Sequence, residues 1–306
     1  MRPLPLRFPR CAAARGFTLV EAIVVIVIIG IIGAIVAVFI RAPIAGYADS
    51  VARGDTADEA DLALRRMARD IRLALPNSVR VSDNGGTLEL LLTRTGGRYL
   101  AAEDGVAGGL PLDFDDAKKT EFTVVGGLAA PVMAGDFVVV YNLGTGMAPA
   151  DAYNLNNDPG NDNRNIARIS AAAARDAGKI SLADNPFARQ REPMPSPGHR
   201  FQVVSEAVTY RCRFEGGRRV LRRYAGYTIE PATPATPQGG SSALLAARID
   251  DCTNIFRYDS PASAELTQGG LVILTLALHT RSATGLGSDP NGVVRLVHQV
   301  HVDNTP

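Results

Sequence analysis

The chain has 306 residues with 32 basic and 31 acidic side chains, a formal net charge of +1; proteins that hold nucleic-acid phosphates show a clear basic excess, so no nucleic-acid partner is expected. Tryptophan is absent and 6% of residues are aromatic, which leaves the core to Val, Leu, Ile and Ala. Thirty Gly and nineteen Pro predict many turns, as in a loop-rich β domain.

The N-terminus departs sharply from these averages. Residues 1–16 contain Arg2, Arg7, Arg10 and Arg15 and no acid, and from Ala22 to Ile40 nineteen residues pass without a charge. As a helix this run is about 28 Å long, the thickness of a bilayer's hydrocarbon core. A basic segment before it predicts an N-terminus inside and the bulk of the chain outside the cytoplasm, a single pass with membrane lipid around it. A secretory signal would be cut after its apolar segment at small residues. Here that segment leads into Phe39-Ile40-Arg41-Ala42-Pro43, so it is expected to stay with the mature protein.

At the membrane entry stands Glu21. An acid at the centre of a spanning helix costs about 3 kcal/mol, and less near the interface. The helix dipole or snorkelling to the headgroups could account for it. The run Gly16-Phe17-Thr18-Leu19-Val20-Glu21, behind an arginine-rich leader, resembles the type IV prepilin motif. That resemblance implies cleavage between Gly16 and Phe17 by a prepilin peptidase and N-methylation of Phe17. It also implies that Glu21 pairs with the N-terminal amine of a neighbouring subunit. A carboxylate and an ammonium brought together in a low-dielectric bundle offset each other's desolvation, whereas either alone is expensive. The chain is then a structural subunit and not an enzyme.

A polar helix, the stem, is expected over residues 50–75. Leu64, Ala68, Ile71 and Leu75 form its apolar stripe, Asp61 and Arg65 a favourable i,i+4 pair, and Pro76 its end. Arg41-Ala42-Pro43 is expected to kink the junction with the apolar segment. Asp49, Asp55, Asp58, Glu59 and Asp61 crowd the first half of the stem, and Arg65, Arg66, Arg69 and Arg72 the second. Two readings stand: a solvated helix with cations at its negative end, or acidic and basic halves that meet between staggered subunits.

After Pro76 the periodicity changes to two, and strands are expected at 87–93, 137–142, 201–214, 218–224, 271–279 and 293–302. The expected architecture is α+β: a long N-terminal helix with its second half packed on an antiparallel β-sheet head. The domains read as leader 1–16, transmembrane and assembly helix 17–42, stem 43–76 and head 77–306. Residues 185–199 and 230–242 are Pro-rich loops, the second composed as a mobile excursion.

Cys11 would leave with the leader, so Cys212 and Cys252 remain. An even pair in an exported domain predicts a disulfide, here around the second loop. His298 and His301 lie three apart on one strand and face opposite sides; with His199 and His279 they read as structural or surface residues. No metal or cofactor is expected. Asp151, Asp158 and Asp162 lie in an Asn/Asp/Gly/Pro cluster that reads as turn material, with a calcium site as the lesser alternative. Gly-x-Ser-x-Gly, the phosphate-binding loop and His-Glu-x2-His are all missing from the sequence.

A mature chain of about 290 residues is large for a major pilin and suits a minor component. The stretches Pro43-Ile-Ala-Gly-Tyr47, 60–72, 75–81, Tyr210-Arg-Cys212, 223–227, Asp251-Cys252 and 298–306 resemble the mannose-sensitive haemagglutinin (MSHA) pilus biogenesis family of minor pseudopilins. The resemblance implies partners: other major and minor pilins, and an inner-membrane assembly platform with its cytoplasmic ATPase. It implies that the subunit primes or caps a filament and ends in it or at its tip. The alternatives are a J-type minor pseudopilin of a type II secretion system, or a membrane-anchored periplasmic binding or adhesion domain.

Overall fold

The computed structural model describes residues 16–155, 163–259, 269–280 and 292–306. They divide into two units at Ala52/Arg53. Among the described residues the one long helix, α1 (Leu19–Arg72), continues through Pro43, whose ring removes a single i→i−4 hydrogen bond. In the first unit its large apolar side chains are exposed without interruption, from Leu19 to Ile40.

In the second unit one face of α1 is core. Ala60, Ala63, Leu64, Met67, Ala68 and Ile71 are all buried, the spacing of one helical stripe. Alanines in that stripe let the backbone come close to the sheet. The helix stops at Arg72, short of the expected Leu75. Thr93 donates to the Leu73 carbonyl and Leu75 donates to the Leu91 carbonyl, each at 2.8 Å. Strand pairing captures these residues before Pro76 could end the helix.

The head is antiparallel throughout. A nine-stranded sheet has the order β5-β4-β7-β2-β3-β6, with β1 on β2 and β9 on β8 on β7. Its centre is two long strands, β2 (Thr87–Tyr99) and β7 (Arg200–Glu215), joined in register from Thr87↔Arg211 to Arg98↔Arg200. Around them lie β1 (Arg80–Ser82), β3 (Glu121–Val125), β4 (Phe137–Val139), β5 (Ile166–Arg168), β6 (Lys179–Ser181), β8 (Arg218–Tyr227) and β9 (Ser241–Ala247). A second sheet holds β10 (Phe256–Asp259), β11 (Gly269–His279) and β12 (Val293–Asp303). Its inner face carries Val272, Leu274, Leu276 and Leu278 of β11 with Val300 and Val302 of β12, all buried. The helix stripe, Leu88, Leu90, Val208 and Tyr210 of the large sheet, and these six residues form one core. Two further cores, around Phe122 and Phe201 and around Tyr153 and Tyr227, fill the rest of the head.

All six expected strands are present. The 137–142 segment shortens to Phe137–Val139; Val140 still donates to the Asn165 carbonyl in the same register, and the extended run ends at Tyr141, whose φ is +53°. The segment at 87–93 continues to Tyr99 through a register shift between Leu92 and Thr95. That irregularity breaks the alternation on which the shorter reading relied.

Candidate processing and assembly site

The helix begins at a cap that the sequence carries locally. The Thr18 carbonyl accepts from Ala22 N–H at 3.1 Å, and its hydroxyl accepts from Glu21 N–H at 3.3 Å. Thr18-x-x-Glu21 is therefore an N-cap arrangement, in which a Ser or Thr hydroxyl satisfies the third backbone donor. This signal was present in the sequence and unread. It fixes Glu21 one turn inside the helix, at its positive end, where a carboxylate is favoured. Glu21 is exposed and forms no ion pair among the described residues.

Ahead of the cap, Phe17 is 76% exposed, and a side chain at Gly16 would meet nothing within 4 Å. The Gly16–Phe17 bond thus stands open beside the first turn. Behind the cap follows a helix long and apolar enough to cross a membrane. Its side chains, such as Ile29 and Phe39, are mostly more than half exposed. Apolar surface on that scale requires lipid or other helices around it.

In the second unit, buried ion pairs fix the end of the stem to the sheet. Asp70, 3% exposed, accepts from Tyr210 Oη at 2.6 Å and from Arg223 Nε at 2.7 Å. Burial, then the Asp70 charge, pushes the Tyr210 phenol well above its ordinary range. Burial acts to lower Arg223, but its bond and charge contact with Asp70 raise it on balance. A second set surrounds Glu89, which is fully buried: Arg80 Nε donates to it at 2.8 Å and Tyr227 Oη at 2.7 Å, with the Thr209 hydroxyl 2.5 Å from that phenol. The Arg80 guanidinium also lies 3.6 Å from the centre of the Tyr153 ring. Nothing local in the sequence marks these partners, which lie up to 153 residues apart.

Arg80 and a further arginine, Arg211 of β7, hold the Pro-rich loop. Arg80 donates to the carbonyls of Glu230 and Pro231, and Arg211 to those of Pro234 and Ala235. A disulfide joins Cys212 of β7 to Cys252, with Cα atoms 5.4 Å apart. The C-terminus is tied in by Asn304, which accepts from Asn77 N–H through its side chain and donates to Tyr258 Oη.

His298 lies on the inward side of β12 and His301 is exposed, as the period of two requires. His279 stands 3.1 Å from Asp250, and His199 3.1 Å from Glu103. The Asp151 carboxylate accepts from the Gly146 and Tyr153 N–H groups, which occupies it as a turn residue. Asp158 and Asp162 lie outside the described residues.

Residues 11–37 match a protein family described as the prokaryotic N-terminal methylation motif. No curated protein and no solved structure matches the chain. The motif supports the type IV pilin and pseudopilin class: a substrate of prepilin peptidase that assembles with other pilins, a structural subunit more than an enzyme. With it, the apolar N-terminal helix fits a membrane-anchored pilin.

Proposed function

We propose that the chain is a minor pseudopilin of the MshO type, which enters a type IV pilus related to the MSHA system or primes its assembly. The observation that carries this reading is Glu21, a carboxylate without an ion-pair partner among the described residues, in the first turn of an exposed apolar helix and next to the open Gly16–Phe17 bond. Cleavage there creates a positive amine on Phe17. A neighbouring copy or another pilin brings such an amine to Glu21, and the pair forms where the dielectric is low. Discarding the leader also removes Cys11. The arginine leader orients the precursor with the cleavage bond in the cytoplasm and the head in the periplasm. The platform and its ATPase then extract the subunit from the membrane.

Mass spectrometry of the membrane form is expected to find Phe17 as a methylated N-terminus. Glu21→Val is expected to leave that processing intact while reducing recovery in filaments at least tenfold. A retained leader, or a cut after Ile40, would overturn the reading. Filaments recovered from a pilus preparation, and not from secretion pseudopili, separate the MSHA-type subunit from a J-type one.

A further inference from the structure

The central strands of the large sheet end in an unbalanced positive pair. Arg98 of β2 and Arg200 of β7 are direct partners in register, so both side chains leave one face, their Cβ atoms about 5 Å apart. Both are exposed and have no ion-pair partner among the described residues. On the opposite face Tyr99 and Phe201 are buried in the core around Phe122, which holds the two strands in place beneath the arginines. Like charges directly opposite one another weaken a sheet. Elsewhere this fold answers its arginines with acids: Arg80 with Glu89, Arg94 with Asp136, Arg222 with Glu215 and Arg223 with Asp70. Beside Arg98 on β3 stands Val125 instead, and Glu121, further along that strand, accepts from the Ser181 hydroxyl.

Arg98 and Arg200 line a groove of about 400 Å³ with Gly96, Gly97, Val125, Phe201 and Gln202, none of them acidic. Gln202 pairs with Gly96 one step along the same face, so it adds an uncharged amide to that face. Gly96 keeps the floor open, since a Cβ there would lie 3.1 Å from the Phe201 carbonyl oxygen. We propose that this groove binds a phosphate group bearing two negative charges, as the free ion or a monoester. Each guanidinium offers five N–H donors in a planar fork that matches oxyanion geometry. A phosphate monoester carries about −1.5 to −2 charges at pH 7, enough to answer both arginines. A carboxylate or a phosphodiester carries a single charge and leaves one of them uncompensated. The anion relieves the repulsion between the paired arginines as it forms charge-assisted hydrogen bonds with both. The site lies in the head, and binding there is independent of how the N-terminus is processed.

The test is thermal melting of the full-length chain in an uncharged detergent, with phosphate compared against chloride at equal ionic strength. Inorganic phosphate at about ten times its Kd is expected to raise Tm by about 3 °C over chloride. Arg98→Gln and Arg200→Gln should each abolish that shift. Each should also melt no lower than the parent in chloride, because it removes a like-charge contact, and this separates loss of the site from loss of the fold. Arg295→Gln, which removes an exposed arginine of β12, should keep the full shift. Titrations with glycerol phosphate and with inorganic phosphate distinguish the monoester from the free ion, the source being the one that binds more tightly. Dimethyl phosphate, a diester, should move Tm no more than chloride does. No phosphate shift in the parent would overturn the site, and so would a shift that survives both substitutions. An equal shift with dimethyl phosphate would overturn the requirement for two charges.

Discussion

Asp70 shows how one side chain joins the stem to the head. It sits in the last turn of α1, beside Arg69 and Arg72, with its carboxylate turned inward to Tyr210 and Arg223. Arg223 keeps only 13% of its side chain exposed, so its charge depends on this partner, with Glu206 a more distant second at 3.6 Å. Asp70→Asn keeps the shape and still accepts one hydrogen bond, but leaves the guanidinium with only the more distant, partly exposed Glu206 as counter-charge. Breaking a buried pair in this way costs about 3 kcal/mol. Thermal melting of the full chain in detergent should show that loss. Adding Arg223→Met should recover part of it, because no buried charge is then left uncompensated. Processing at Gly16 should be unchanged, since that site is local to the N-terminus. Arg223 and Tyr210 could not be assigned to Asp70 from sequence, because side chains 140 and 153 residues away are placed only by the paired strands.

Among the elements, those with strong periodicity were legible and those with weak periodicity were not. The helix stripe, β11 and β12 declare themselves because one face of each is buried and alternates with a more exposed one, whereas β7, buried at four successive residues from Ala207 to Tyr210, shows as a long β-rich run. Strands β1, β5 and β6, which periodicity did not reveal, have only three residues each, too few to show a period. Strand β9 begins at Ser241, inside the Pro/Gly-rich run, and its first four residues are exposed; only its last three, Leu245 to Ala247, turn toward the core. The N-terminal motif was legible because it is a short linear stretch: residues 11–37 match the methylation family, and Gly16, Phe17 and Glu21 lie within six residues. The loop before β9 was read from composition as an excursion, yet Arg80 and Arg211 hold four of its carbonyls. The Cys212–Cys252 bridge closes a separation of 40 residues around it. On the chain-entropy model such a closure stabilises the fold by about 4 kcal/mol. Cys212→Ser/Cys252→Ser should lower the urea midpoint accordingly and expose the loop to protease. A double variant as stable as the parent would show that the arginine contacts alone suffice.

The whole molecule has an uneven charge chemistry with a consequence at high pH. Of its 32 basic side chains only Lys118, Lys119 and Lys179 are lysines, so nearly all positive charge is arginine and persists beyond pH 12. The groups that titrate on folding in alkali are instead tyrosines. Tyr153, Tyr210 and Tyr227 are pushed up by burial first and then by the charges of Glu89 or Asp70, and Tyr99 is pushed up to about 12 by burial. In the unfolded chain all four ionise near pH 10. Between that value and their folded pKa the unfolded state has released protons that the folded state retains, so stability falls as pH rises. The contribution is complete below about pH 10 and is lost progressively above it. Melting temperature should therefore hold to about pH 9 and then decline steeply. Tyr227→Phe removes one of the four groups along with its bond to Glu89, so the parent value at pH 8 should drop while the slope above pH 10 becomes shallower. A melting temperature that stays level to pH 11 would mean that the phenols reach solvent, and the ionic core around Glu89 and Asp70 would then be open to water.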